Sequence, residues 1–125
     1  MKLLTLEQLL QIHALVIQET GGSAGLRDLG RLEAALATQT QNVFGQELYD
    51  DVWSKAAALA RGIIADHPFV DGNKRTAMLA ALTFLKINRV TTHFEKHEIE
   101  DFAVLIATKK LDVKAVATWM HHHTG

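Results

Sequence analysis

The run from His67 to Asn88, HPFVDGNKRTAMLAALTFLKIN, constrains the fold more than any other part of the chain. From Ala77 to Leu85 only Thr83 is polar, so a helix wound through this stretch has an apolar side in every direction. A helix of that kind is stable when other helices surround it, and it is expected to be the buried centre of the fold. Pro68 disfavours the helical conformation at His67, which closes the preceding helix there and places His67 at a helix-to-loop corner. The central helix then opens near Gly72 and Asn73, with Lys74 and Arg75 in its first turn. Cations at that end meet the positive pole of the helix dipole, at a cost of roughly 0.3 to 1 kcal/mol each. Free backbone N–H groups, a permissive glycine and two cations make an anion site, most simply for phosphate.

The rest of the chain supplies the helices that cover this one. A first helix is predicted from Thr5, with Gln8 completing a capping box, and Gly21-Gly22 ends it. His13 lies on it and reads as a packing or surface histidine. The segment from Gly21 to Gly25 is flexible by composition. A second helix is expected from the N-cap Asp28 to about Gln41, on which Arg31 and Glu33 form an exposed pair or reach a site. An irregular loop or short strand follows to Leu48. A third helix runs from Asp50 or Asp51 to Asp66, and Ala56, Ala57, Ala58 and Ala60 let it approach the central helix closely. Tyr49 and Trp53 read as packing residues. Val90 to Phe94 is β-branched and extended, too short to make the protein α/β. A fifth helix is predicted from Lys96 to Lys109 and a sixth from Asp112, ending in a frayed His121-His122-His123 without carboxylate or thiolate companions for a metal. The expectation is an all-α bundle of about six helices, residues 1–125 forming one domain.

Composition narrows the function. Lys and Arg number 13 against 14 Asp and Glu, so the net charge of -1 gives no general pull toward DNA or an anionic membrane, and any nucleotide site must be local. The absence of cysteine excludes disulfides and thiolate metal sites and fits a reducing compartment. The leucines before His13 are broken up by Glu7, Gln8 and Gln11 into an amphipathic pattern that is not a signal peptide, and no apolar run reaches membrane-spanning length. A cytoplasmic location is expected.

The decapeptide HPFVDGNKRT, His67 to Thr76, resembles the signature of the Fic/Doc family, most closely its death-on-curing (Doc) branch. The stretch from Gly25 to Leu36 is similar too, and so are the length and the helical pattern. The resemblance implies a compact helical fold that transfers a phosphate-containing group from a nucleotide to a hydroxyl of a target protein. Two positions depart from the AMP-transferring relatives: Lys74 stands where they have Gly, and Met78 where they have a second Arg that helps hold the distal phosphates. Lys74 is the choice of the Doc branch, which resembles a kinase that moves the terminal phosphoryl group of ATP to a threonine of elongation factor Tu and stops translation.

In that framework His67 is the general base that takes the proton of the target hydroxyl. Asp71 holds a Mg²⁺ that bridges phosphate oxygens, with a helix N-cap as its structural alternative. Gly72 and Asn73 lend backbone N–H groups, and Asn73 its amide, to an anion hole, while Lys74 and Arg75 grip phosphates. Phe69 tucks into the core, and Thr76 is structural. No Glu is followed by Gly or Asn, so the self-inhibitory Ser/Thr-x-x-x-Glu-Gly/Asn pattern of some relatives is missing. The resemblance therefore implies an antitoxin in trans whose disordered tail folds on binding. AMP transfer and a non-catalytic binding module are the competing readings; metal-dependent hydrolysis would need more clustered ligands.

Overall fold

The computed structural model describes residues 1–124 and is all-helical apart from one small hairpin. Six α-helices follow in order: α1 Leu6–Thr20, α2 Leu29–Ala37, α3 Val52–Asp66, α4 Asn73–Ile87, α5 Lys96–Lys109 and α6 Val113–His122. The bundle forms because the apolar stripe of each helix meets the α3–α4 pair. Leu9 and Val16 of α1, Leu32 and Ala35 of α2, Phe102 and Ile106 of α5, and Val116 and Met120 of α6 are all buried.

The caps follow from the local sequence. Thr5 and Gln8 form the predicted capping box, and Gly21 closes α1 in the left-handed conformation. Asp28, Asp51 and Asp112 each accept a first-turn N–H of α2, α3 and α6. The box at α5 is made by Glu95 and Glu98.

Three expectations need correction. The centre of the bundle is a pair of helices: Lys55 to Ala60 of α3 are buried without a break, because a run of alanines lets neighbours close in from every side. On α4, Leu79, Leu82 and Thr83 remain partly exposed; the Thr83 hydroxyl is satisfied by the Leu79 carbonyl at 2.7 Å. Helix α2 ends at Ala37, and a 3₁₀ turn, Thr38–Thr40, replaces its last turn. There the buried Gln39 amide is drawn away to the backbone of Leu4, accepting from its N–H at 2.7 Å and donating to its carbonyl at 3.0 Å. Val90 to Phe94 is irregular with one bridge from Thr92 to Thr124, in keeping with the short extended segment expected. The C-terminal histidines are not frayed. His121 and His122 belong to α6, and His123 stacks on Phe94 at a centroid distance of 4.8 Å and lies tilted against Trp119 at 4.2 Å, while its Nε2 faces Glu98 at 3.0 Å.

The loop between α2 and α3 is a hairpin, β1 Asn42–Val43 against β2 Gln46–Glu47, joined by Phe44 and Gly45. Both turn residues have positive φ, 51° and 80°, as a two-residue type I′ turn requires. Lys55, buried in α3, ties this hairpin down through the Gln39 carbonyl and the Glu47 carboxylate.

Candidate functional site

The site is the loop from His67 to Gly72 and the first turn of α4. His67 ends α3 with φ 48° and ψ 59°, the left-handed conformation that glycine usually supplies at a helix C-terminus. A side chain held there costs on the order of 1–2 kcal/mol. The following Pro68 and Phe69 are buried, so the chain turns inward and comes back out at Val70. His67 itself stays exposed.

Three supports fix this loop. The first is Asn73, whose Oδ1 accepts the Phe69 N–H and whose Nδ2 donates to the Phe69 carbonyl, both at 2.9 Å. The second is His13 of α1, buried and stacked on Phe69 with centroids 3.8 Å apart and rings 7° from parallel. Its Nε2 lies 2.9 Å from the Asp71 carbonyl; a carbonyl can only accept, so this nitrogen carries the proton. The third is the segment from Gly22 to Asp28. The Pro68 carbonyl accepts from the N–H groups of Arg27 and Asp28, the Val70 N–H donates to Gly25, and Leu26 and Phe69 form a bridge. The Arg27 guanidinium donates to the carbonyls of His67 at 2.8 Å and Asp66 at 3.0 Å, and Arg31 adds a bond to Asp66 at 2.9 Å. The end carbonyls of α3 thus receive two cations, which complement the negative pole of that helix.

Gly72 begins α4 in the left-handed conformation, φ 76°, and is hemmed in by α1: a Cβ there would stand 3.2 Å from Ile17 Cδ1 and 3.3 Å from Val16 Cγ1. No side chain caps α4, and its first turn holds no acid. The N-terminal N–H groups of a helix have no partner within the helix. Lys74 is exposed beside them. Arg75 is half-buried, with Glu19 of α1 and Glu100 of α5 each 4.0 Å away, a separation at which such exposed pairs contribute little.

Asp71 is not the N-cap. Its Oδ1 accepts the N–H of Gly72 at 2.9 Å and its Oδ2 that of Ser23 at 3.2 Å, so the carboxylate joins the α1–α2 loop to the motif. Gly22 makes room for it, since a Cβ there would fall 2.6 Å from Asp71 Oδ2. The segment expected to be flexible is therefore tied to the site. The Asn73 amide also has another task than the one expected: it closes the loop around Phe69, and the donors left for an anion are backbone N–H groups and the two cations. His67 lines a cavity of about 250 Å³ between the C-terminal ends of α3 and α5. Lys74 and Arg75 line another, about 330 Å³, between α4 and the N-terminal half of α5.

His13, Arg27, Gly22 and Ser23 are the supporting residues that sequence reasoning missed. Their partners are backbone atoms or an oxygen of a loop some 40 or more residues away in sequence, as from Arg27 to His67, and such pairing leaves no local pattern. Among the described residues no cluster of three or more His, Asp or Glu is placed to hold a metal ion, and no helix is long and apolar enough to cross a membrane.

Comparison with known proteins gives the same motif its relatives. The model of the Fic/DOC family matches residues 3–85. The chain is 42% identical over 99 residues to a protein named Toxin Doc from Mycolicibacterium smegmatis, covering 78% of this chain and 76% of that protein. It is 34% identical over 119 residues to one named Protein kinase doc from Escherichia phage P1, covering 95% and 93%.

Proposed function

This chain belongs to the Fic/DOC family, and on that premise we propose that it is the toxin of a toxin–antitoxin pair, a kinase that phosphorylates a protein hydroxyl. The observation that carries this reading is the uncapped first turn of α4, with Lys74 and Arg75 on it, one short braced loop away from exposed His67. An uncapped, cation-bearing helix start takes the phosphates of ATP through the N–H groups of Asn73, Lys74 and Arg75. His67 accepts the proton of a Thr or Ser hydroxyl. Its oxygen then bonds to the γ-phosphorus as the bond from that phosphorus to the β–γ bridging oxygen breaks, and ADP leaves. Such transfer asks the protein mainly for position and charge, and the three supports of the loop supply position.

Asp71 fits a Mg²⁺ that arrives with the nucleotide, since this ion takes one or two carboxylates and fills its shell with phosphates and water. Each Asp71 oxygen accepts one N–H and keeps a further lone pair. When bound, the ion would neutralise phosphate charge.

Met78 speaks for phosphoryl rather than AMP transfer. It is fully buried in α4, where AMP-transferring relatives place a second cation. We take the target to be elongation factor Tu, which places the activity in the cytoplasm, residues 1–125 working as one domain. The partner is an antitoxin whose tail lies between α4 and α5: Leu79, Ile99 and Val104 offer it an apolar floor, and Lys74, Arg75 and Lys96 stand at the rim with the acid Glu100 among them. A tail lying there covers the phosphate-gripping cations.

The test is to incubate the protein and its His67→Ala variant with bacterial extract and ATP labelled at the α- or the γ-phosphate. Label entering a protein only from the γ position, and lost in the variant, is the expected outcome. Label from the α position would make the enzyme an AMP transferase, and transfer undiminished in the variant would remove His67 from the chemistry.

A further inference from the structure

We propose that Lys110 selects the acceptor polypeptide, drawing an acidic residue beside the target hydroxyl into the cavity that His67 lines; this rests on His67 being the base. Helix α5 ends, as α3 does, on a residue in the left-handed conformation that is not glycine: Lys110 has φ 50°, His67 φ 48°. Both line the same cavity. Glycine adopts this conformation freely, while a residue with a Cβ is strained in it; Phe44 and Arg89 hold it as well, so the strain calls for a reason without naming one. For His67 the proposed chemistry provides the reason. For Lys110 the helix dipole does not, because Lys109 already puts a cation in the last turn of α5.

The cavity shows what that use is. Ile64, Ile106 and Leu111 give it an apolar lining, and its charged groups are Arg61 and Lys110, with no carboxylate among the described residues. Arg61 spends its Nε on the Leu111 carbonyl at 2.9 Å, whereas Lys110 is exposed and has no ion pair among the described residues. At about 250 Å³ the space is smaller than the roughly 300 Å³ at which pockets for small-molecule ligands begin. It suits one apolar side chain with an acidic neighbour at the rim. A hydroxyl-bearing segment laid here presents its oxygen to His67, and the γ-phosphate reaches that oxygen from the first turn of α4, where Lys74 and Arg75 hold the nucleotide.

The test is binding, read by fluorescence anisotropy, of two short labelled peptides with the same central Leu-Thr, one continuing with Glu and the other with Lys. Wild type is expected to favour the Glu peptide by about threefold or more, the range of a rim charge pair. In Lys110→Gly, which relieves the strained backbone and keeps the fold, the preference should vanish; Lys110→Asn, which also tolerates this conformation, is the second variant. Equal binding of the two peptides by wild type, or a preference that survives both substitutions, overturns the proposal. Discrimination between peptides without any labelled transfer would leave the acceptor surface standing and retire the kinase reading. A kinase indifferent to the flanking charge does the reverse.

Discussion

Asn73 and Thr76 sit three residues apart on the buried side of α4, and one is fully used where the other is not. Both ends of the Asn73 amide are bonded to the backbone of Phe69, inside the loop that aims His67. Truncation to alanine leaves the N–H and carbonyl of a buried residue without partners, at about 1–3 kcal/mol each. Asn73→Ala should therefore lose roughly 2–4 kcal/mol in urea unfolding. A loss below about 1 kcal/mol would mean that the loop holds its shape without this side chain. The Thr76 hydroxyl is completely buried and has no hydrogen-bond partner. Thr76→Val keeps the shape and removes the unmet polar group, so it should gain about 1 kcal/mol and raise the melting temperature by about 4 °C. A lowered melting temperature would show that the hydroxyl does have a partner in solution.

At the scale of elements, the segment from Gly22 to Asp28 and the motif loop behave as one unit, joined by backbone hydrogen bonds and by Asp71 on Ser23. Gly22→Ala places a methyl 2.6 Å from Asp71 Oδ2 and has to push the two apart. The expected cost is about 1–3 kcal/mol, most of it relieved when Asp71 is also replaced by alanine; additive losses in that double-mutant cycle would refute the coupling. This joint also shows what could be read from the sequence. Caps at Thr5, Asp28 and Asp112 were legible because each depends on residues within one turn, and the start of α3 was narrowed to Asp50 or Asp51, of which Asp51 is the cap. The bounds of α5 and the end of α3 at His67 were legible for the same reason, whereas the left-handed conformation of His67 was not. In the site, the motif keeps His67, Asp71 and the cations within one loop and the first turn of α4, close together because they are close in the chain. It did not reveal that Asp71 reaches back to Ser23, 48 residues away, or that the Asn73 amide turns inward to the backbone of Phe69, four residues before it, because a side-chain bond to backbone leaves no mark on the residue pattern. The ordered His123 escaped notice because its ring contact with Phe94 and its hydrogen bond with Glu98 reach back more than twenty residues.

Across the whole molecule, the two chain ends are drawn onto the bundle by polar contacts. Near the N-terminus, Lys2 exchanges hydrogen bonds of 2.8 and 2.9 Å with Asn88 at the end of α4, and the Leu4 backbone is held by Gln39. At the other end, His123 is bonded to the Trp119 carbonyl and faces Glu98, and its own carbonyl accepts the His93 N–H at 2.7 Å. Glu98 is thus part of both the α5 capping box and the C-terminal closure. Its carboxyl is held below the usual glutamate range, first by the hydrogen bond from the Glu95 backbone and then by that from His123. A carboxylate that is more acidic folded than unfolded contributes stability that is complete above the ordinary glutamate value and disappears as pH falls through its lowered value. Melting temperature followed from neutral pH down through the carboxylate range should accordingly fall for the wild type. In Glu98→Gln the fall should be shallower, from a lower starting point at neutral pH, because the amide keeps the shape but not the charge. Parallel curves would mean that the acid sensitivity of this fold resides elsewhere. With the shallower curve, amide exchange at His93 should be faster in Glu98→Gln than in wild type at neutral pH, since its N–H is held by the strap that Glu98 anchors.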